Sequence, residues 1–159
     1  MDLNLKGKTA LVAASTKGLG YATALAAAME GAKVEVGSRD EEATAKAAEG
    51  IAKASGSSCI GIRLDMREED SIRRWIDEGT RAFGPLSALL VNAGGPPPGG
   101  FSDFSDDDWQ DAFELTLLSS IRLIRESLEH FDSEGGSILT ITSFSVKEPI
   151  ESLILSNVM

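Results

Sequence analysis

Residues 9–20, TALVAASTKGLG, carry the first spacing of chemical interest. A short apolar run leads into a turn, Ala14-Ser15-Thr16-Lys17-Gly18-Leu19-Gly20, and the turn opens onto an alanine-rich stretch. The first amides of a helix lack intrahelical partners and carry a positive partial charge, so a strand–turn–helix of this kind is a natural seat for a phosphate group. Other reactive residue types are sparse and read as structural. The single histidine, His130, sits near the end of a long helical pattern, where it complements the helix dipole. The single cysteine, Cys59, is expected in the core, and no intrachain disulfide can form from it. Asp106, Asp107 and Asp108 follow Ser105 as a helix start rather than a metal site, and no metal is expected. Pro96, Pro97 and Pro98 read as a stiff loop wall.

The turn needs elements to hold it. Residues 8–14 form a continuous apolar run of strand length, as a strand buried on both faces requires. A helix is expected over 18–30 with Gly31 as its C′ residue, then a strand over 33–37. Asp40 caps a helix running to about Ala54, with Glu41 and Glu42 in its first turn. A strand over 58–64 ends at Asp65, and a helix over 68–83 is closed by Gly84-Pro85. A strand follows over 86–91. Residues 92–104, NAGGPPPGGFSDF, are a loop, and Ser105 caps a helix reaching roughly Phe131. A fifth strand spans 137–142, and residues 153–159 begin another apolar helix.

Strand and helix alternate throughout, which implies right-handed βαβ units. The expected fold class is α/β: a doubly wound parallel sheet in three α/β/α layers, Rossmann-like, forming one nucleotide-binding domain over 1–159. In such a sheet the ligand crevice lies beyond the strand C-termini, so the loops after residues 13, 38, 65, 92 and 143 line it.

Bulk properties narrow the partners. The chain has 159 residues, 42% hydrophobic and 25% charged, ordinary for a globular domain. Its net charge of −10 argues against nucleic acid while leaving room for one anionic small molecule held by local amides and cations. No apolar run approaches the ~20 residues of a membrane helix, and the N-terminus, MDLNLKGK, has no apolar signal core. A cytoplasmic location is expected, with no membrane partner.

The turn at 14–20 resembles the TGxxxGxG turn of the short-chain dehydrogenase/reductase family, with Ala13 and Ala14 in place of the Thr and first Gly. The exchange is mild if Ala14 keeps a negative φ. Further likenesses follow in the family's order. LKGKTALV resembles its first strand, Asp65 its adenine-contacting acid after the third, and Asn92-Ala93-Gly94 its NAG motif after the fourth. Ser143 falls at its catalytic serine after the fifth. The 3-oxoacyl-[acyl-carrier-protein] reductase-like members look most similar. The resemblance implies a dinucleotide held by Ala14, Thr16, Lys17, Gly18, Leu19, Gly20, Ser38, Arg39, Asp65, Met66, Asn92, Ala93 and Gly94. Asp65 could equally cap the helix after it, and Arg39 could be a solvated surface residue. A domain selecting NAD normally ends its second strand with Asp or Glu. Here stand Ser38 and Arg39, with Lys17 near, and two cations and a hydroxyl suit a 2′-phosphate. NADP is expected over NAD.

The resemblance also implies hydride transfer to a small-molecule carbonyl, a ketone or 3-oxoacyl thioester, with tyrosine as acid/base, its pKa of about 10 lowered by a nearby lysine. The family's tyrosine position lands on Ser156, its asparagine on Thr116, and its lysine one position past Met159. The one tyrosine, Tyr21, is in the first helix. Ser143, with Ser156 and Thr116, is left to polarise the carbonyl. The match covers only the earlier part of the family's length; its later strands are missing, and a C-terminally truncated member is expected. Such a chain would expose its fifth strand and the face of residues 153–159, which in the family meets a partner subunit; a full-length relative would be a dimer or tetramer. Two other readings stay open: a dinucleotide-binding protein without turnover, and an inactive fragment.

Overall fold

A strand with no polar stretch has no face to give to solvent. The computed structural model, which describes residues 3–159, accordingly places Thr9–Val12 (β1) at the centre of the sheet, buried at every position. The chain continues through Gly18–Met29 (α1), Lys33–Ser38 (β2), Glu41–Ser55 (α2), Cys59–Arg63 (β3), Glu69–Phe83 (α3) and Leu86–Val91 (β4). Asp106–Ala112 (α4), Ser119–Ser127 (α5), Ser137–Thr140 (β5) and Ile154–Val158 (α6) complete it. The sheet order is β3-β2-β1-β4-β5 and every pairing is parallel, with Val12 opposite Val36 on one side and Leu90 on the other. This is the expected doubly wound sheet.

The two faces of β1 feed two cores. Ala10 and Val12 join Val34 and Val36 of β2 beneath Ala24 and Ala28 of α1 and Ala47, Ala48 and Ile51 of α2. Leu11 and Ala13 point the other way, to Ile72, Trp75 and Ile76 of α3 and Leu123 of α5. Strand residues alternate faces, so one apolar run supplies both layers. Helix ends follow the sequence signals. Asp40 accepts the Ala43 N–H at 2.9 Å to cap α2, and Ser105 and Asp108 form a reciprocal capping box at α4. Hydrogen bonds from the Ser105 hydroxyl and N–H hold the Asp108 carboxyl below its ordinary range. Gly31, the expected C′ residue of α1, has φ +86°.

Two features depart from the expectations. The helix expected over 105–131 is not uniform: a π-helical turn, Phe113–Leu118, separates α4 from α5. An extra residue per turn displaces carbonyls, and hydroxyls collect them. Thr116 donates to the Ala112 carbonyl at 2.5 Å, Ser119 to Leu115 at 2.5 Å and Ser120 to Thr116 at 2.7 Å. The face of residues 153–159 is only partly exposed. Leu155 is fully buried because α6 packs on the Phe144–Val146 turn and on α4, while Val158 stays in solvent. β5 lies at the sheet edge, exposed at every position, as expected of it. Among the described residues no helix is long and apolar enough to cross a membrane.

Glu35, in the middle of β2, is a feature that the strand pattern did not mark. Its side chain is fully buried on the α3 side of the sheet, and neither carboxyl oxygen has a hydrogen-bond partner. Gly79 of α3 makes the space, since a methyl group there would overlap Oε2 of Glu35. Burial, and secondarily the charge of Glu78, lifts the Glu35 pKa to about 9. On the other face of the sheet, its own burial pushes the Cys59 thiol to about 12, with the Glu35 charge adding to it. At neutral pH Glu35 is therefore a neutral acid in the folded chain. The unfolded chain releases that proton near 4.5, so between 4.5 and about 9 the folded state holds one more proton and stability falls as pH rises. Glu35→Gln, which cannot ionise, is expected to remove this slope and to raise the unfolding midpoint by several degrees at pH 8 relative to wild type. Thermal unfolding of both proteins from pH 5 to 9 checks it; parallel pH curves would show that Glu35 does not titrate in this window.

Candidate functional site

The C-terminal ends of β1, β2, β3 and β4 open into a cavity of about 730 Å³. Ala14, Thr16, Lys17, Gly18, Ser38, Arg39, Asp65, Met66, Asn92, Ala93 and Gly94 all line it. Two of the residues expected there do not. Leu19 points its side chain into solvent, 68% exposed, and can offer only its backbone amide. Gly20 lies beneath the turn: a Cβ there would come within 2.5 Å of the Ala14 carbonyl and 3.0 Å of the Asn92 amide nitrogen. Its missing side chain serves the approach of backbone to backbone, a packing role.

The turn is stitched from three sides. Ala13 N–H donates to the Leu90 carbonyl at 3.1 Å, extending the sheet past β1. Ser15, fully buried, donates to the Val12 carbonyl at 2.6 Å and accepts the Gly37 N–H at 3.1 Å, tying the turn to β2. The side-chain amide of Asn92 donates to the carbonyls of Ala14 at 3.1 Å and Ala13 at 3.4 Å. Ala14 does not keep a negative φ. It sits at +47°, a left-handed conformation that costs a residue with a Cβ about 1 kcal/mol, so the exchange of glycine for alanine is not mild. No side chain caps α1; its first backbone bond runs from Tyr21 N–H to the Lys17 carbonyl, and the amides ahead of it remain open donors.

Charge is distributed unevenly around the cavity. Lys17 and Arg39 are both exposed at its rim and, among the described residues, engage no carboxylate. The Ser38 hydroxyl is committed elsewhere: it shares a hydrogen with Thr44 at 2.7 Å and donates to the Asp40 carbonyl at 3.2 Å, at the start of α2. Asp40 itself forms part of the wall, though its sequence context marks only the helix cap. Asp65 does not cap α3. Its Oδ1 accepts the Arg67 N–H at 3.1 Å, its own N–H donates to Ser71, and Arg63 stands 3.8 Å from Oδ2. Leu64 and Leu115 add apolar wall that no polar motif could have announced.

Residues 92–95 form a partition, and beyond it is a second cavity of about 370 Å³. Thr116, Ser143 and Ser156, from three separate elements, all line this second space, with Ser120, Pro96, Leu117, Val146 and Met159 around them. Among the described residues no ionisable side chain does. The three hydroxyls are not equivalent. Thr116 is turned back onto the Ala112 carbonyl, Ser143 is paired with Ser145 at 2.8 Å, and the Ser156 hydroxyl has no hydrogen-bond partner among the described residues. The proline-rich loop is pinned as a wall, with Gly99 N–H donating to the Ser152 carbonyl at 2.7 Å and Ile154 N–H to the Gly99 carbonyl at 3.3 Å. His130 lines neither of these two cavities; it contacts Thr80 and Asp77 of α3.

Comparison with known proteins gives a consistent picture. Residues 8–155 match the family model described as short chain dehydrogenase. A versicolorin reductase of Emericella nidulans is 33% identical over 143 residues, covering 89% of this chain and 53% of that protein. A 2,5-dichloro-2,5-cyclohexadiene-1,4-diol dehydrogenase of Sphingobium indicum is 35% identical over 144 residues, covering 90% of this chain and 57% of that protein. The crystal structure of L-sorbose reductase from Gluconobacter frateurii, complexed with NADPH and L-sorbose, superposes with a TM-score of 0.94 at 25% identity, over 99% of this chain and 60% of that one. The chain thus spans between half and three-fifths of the length of these relatives.

The strained alanine makes a testable point about the turn. Ala14→Gly is expected to stabilise the fold by about 1 kcal/mol, because glycine adopts φ +47° without penalty. A thermal unfolding midpoint a few degrees higher is the expected reading, and a lower midpoint would show that the Ala14 methyl group packs more than it strains.

Proposed function

The chain belongs to the short chain dehydrogenase family, and from that premise we propose that it holds NADP(H) in the larger cavity and carries out hydride transfer with a carbonyl substrate in the smaller one. The observation that carries the proposal is the partition at residues 92–95: one wall of the larger cavity is also a wall of the smaller. A long ligand lying in the first can therefore present one end to a molecule in the second. The residues present fit such a ligand. The open amides at the start of α1 suit a pyrophosphate, and the close packing of Gly20 on Ala14 keeps the turn tight. Lys17 and Arg39, both without a carboxylate partner among the described residues, suit a ribose 2′-phosphate, and no acid ends β2 to prefer a free 2′-hydroxyl. Asp65 and Met66 bound the adenosine end.

When bound, the cofactor supplies a hydride to the carbonyl carbon. Ser143 donates its hydroxyl proton in a hydrogen bond to the carbonyl oxygen and stabilises the negative charge that develops there. Water supplies the proton that completes the alcohol, because the position resembling the family's tyrosine is Ser156, whose hydroxyl is a far weaker acid than a phenol. Ser156 orients the oxygen, and Thr116 shapes the floor through the π-helical turn. With no charged side chain in its lining among the described residues, the cavity favours an uncharged carbonyl end, a ketone or 3-oxoacyl thioester; the thioester form is supported by the motif resemblance to 3-oxoacyl reductases. The reading includes a cytoplasmic location and assembly with further copies of the chain, the latter supported by the exposed Leu117, Ile121 and Val158.

A second reading has its own observation. Thr116 is tied to a backbone carbonyl and, among the described residues, no acidic side chain lines the smaller cavity, so a dinucleotide-binding protein without turnover is also consistent with the chain. Two measurements separate the readings. In a fluorescence titration Arg39→Asp is expected to weaken NADPH binding about tenfold and NADH binding much less, as befits one charge-assisted contact. Equal losses for both would remove Arg39 from the 2′-phosphate. NADPH oxidation with a panel of ketones and 3-oxoacyl thioesters is expected to fall at least tenfold in Ser143→Ala. Matching background rates in the two proteins, with NADPH binding intact, would select the binder.

A further inference from the structure

Ser143 holds its place through a neighbour that no motif marks. Ser145 lies two residues on, in the Phe144–Val146 turn, and is fully buried. Its backbone N–H donates to Ser143 Oγ at 3.1 Å, and its Oγ lies 2.8 Å from the same oxygen. Among the described residues no other group is within hydrogen-bond reach of the Ser145 hydroxyl.

Counting protons and lone pairs fixes the direction of that bond. Each hydroxyl has one proton and two lone pairs. If Ser143 donated to Ser145, the Ser145 proton would be left in the protein interior with no acceptor, and a buried donor without a partner is costly. If Ser145 donates, nothing buried is left unpaired. Ser143 Oγ then accepts two hydrogen bonds from Ser145, one from the hydroxyl and one from the amide. Its lone pairs are occupied, and its own proton is left to point outward. Ser143 is exposed and lines the 370 Å³ cavity, so outward means toward the substrate. A hydroxyl that accepts hydrogen bonds is polarised into a stronger donor.

We propose that Ser145 is a positioning residue: by donating to Ser143 it fixes the Ser143 hydroxyl as a donor aimed into the smaller cavity. The proposal rests on the reading of Ser143 as the group that polarises the carbonyl. It adds a preference. With its lone pairs filled, Ser143 gives a hydrogen bond to a carbonyl or an oxyanion and has none to accept from an alcohol proton.

Four proteins test it: wild type, Ser143→Ala, Ser145→Ala and the double variant, each measured for NADPH affinity, for kcat and KM in carbonyl reduction, and for the unfolding midpoint. Ser145→Ala is expected to lower kcat roughly fivefold with NADPH affinity unchanged, the size of one hydrogen bond. Added to Ser143→Ala it is expected to change kcat no further, because its effect passes through Ser143. The midpoints read the direction of the bond without any turnover. Ser143→Ala strands the buried Ser145 proton and lowers the midpoint by several degrees; the double variant, which removes that proton, regains most of the loss. A kcat fall of equal size in both backgrounds, or an unchanged kcat in Ser145→Ala, overturns the positioning role. A double variant less stable than Ser143→Ala overturns the donor direction. If Ser143→Ala alone leaves the rate untouched, the carbonyl-polarising reading fails and the positioning role with it, while the midpoints still decide the direction.

Discussion

The side-chain amide of Asn92 reaches from the end of β4 to the carbonyl of Ala14 at the end of β1, and much else in the molecule is arranged around that bond. It joins the two central strands at the point where the chain leaves the sheet. It also holds Ala14 in a left-handed conformation that alanine does not favour. Gly20 must lack a side chain because the Ala14 carbonyl and the Asn92 amide occupy the space above it. The residues that follow Asn92 separate the two cavities, so one amide sets both the shape of the turn and the position of the wall between the proposed cofactor and substrate.

Behind this bond lies a sheet that tolerates polarity in few places. Among the described residues, the buried side-chain atoms without a hydrogen bond belong to Glu35 and Trp75, both in the core between β2 and α3. Elsewhere several buried hydroxyls are spent locally, Ser15 on the turn, Ser119 on the π-helical turn and Ser145 on Ser143, while Thr9 reaches across to the Phe83 carbonyl at 3.1 Å. The pattern is of short side chains closing backbone gaps where regular structure ends, which is where the two cavities begin.

The alternation of strands and helices was legible because a strand covered on both faces reads as an unbroken apolar run, and because Asp40, Ser105 and Gly84 punctuate the helices. The larger cavity was legible as well, since parallel topology puts every loop after a strand on one side. Other features depended on three-dimensional facts that residue types do not encode. The sign of φ at Ala14 follows from what Asn92 pulls on. The Ser38 hydroxyl could serve a ligand or Thr44, and only packing shows that it serves Thr44. A π-helical turn leaves apolar periodicity nearly intact, so Thr116 looked like one more helical position. Glu35 fits the composition of an ordinary strand, and its burial follows from Gly79 on a helix far along the chain. Ser145 lies in a short 3-10 turn, where no period says which side chain turns inward.

The open edge of β5 bears on how such a chain behaves in a crowded solution. Its outer row of N–H and C=O groups is already set in a strand's geometry and spacing, flanked by the apolar Ile138 and Leu139, which are both exposed. An extended segment arriving there from another molecule finds a template that costs little to complete. Whatever strand lies against that row, from the same polypeptide or from another, continues the sheet there in the parallel or antiparallel sense its own direction dictates.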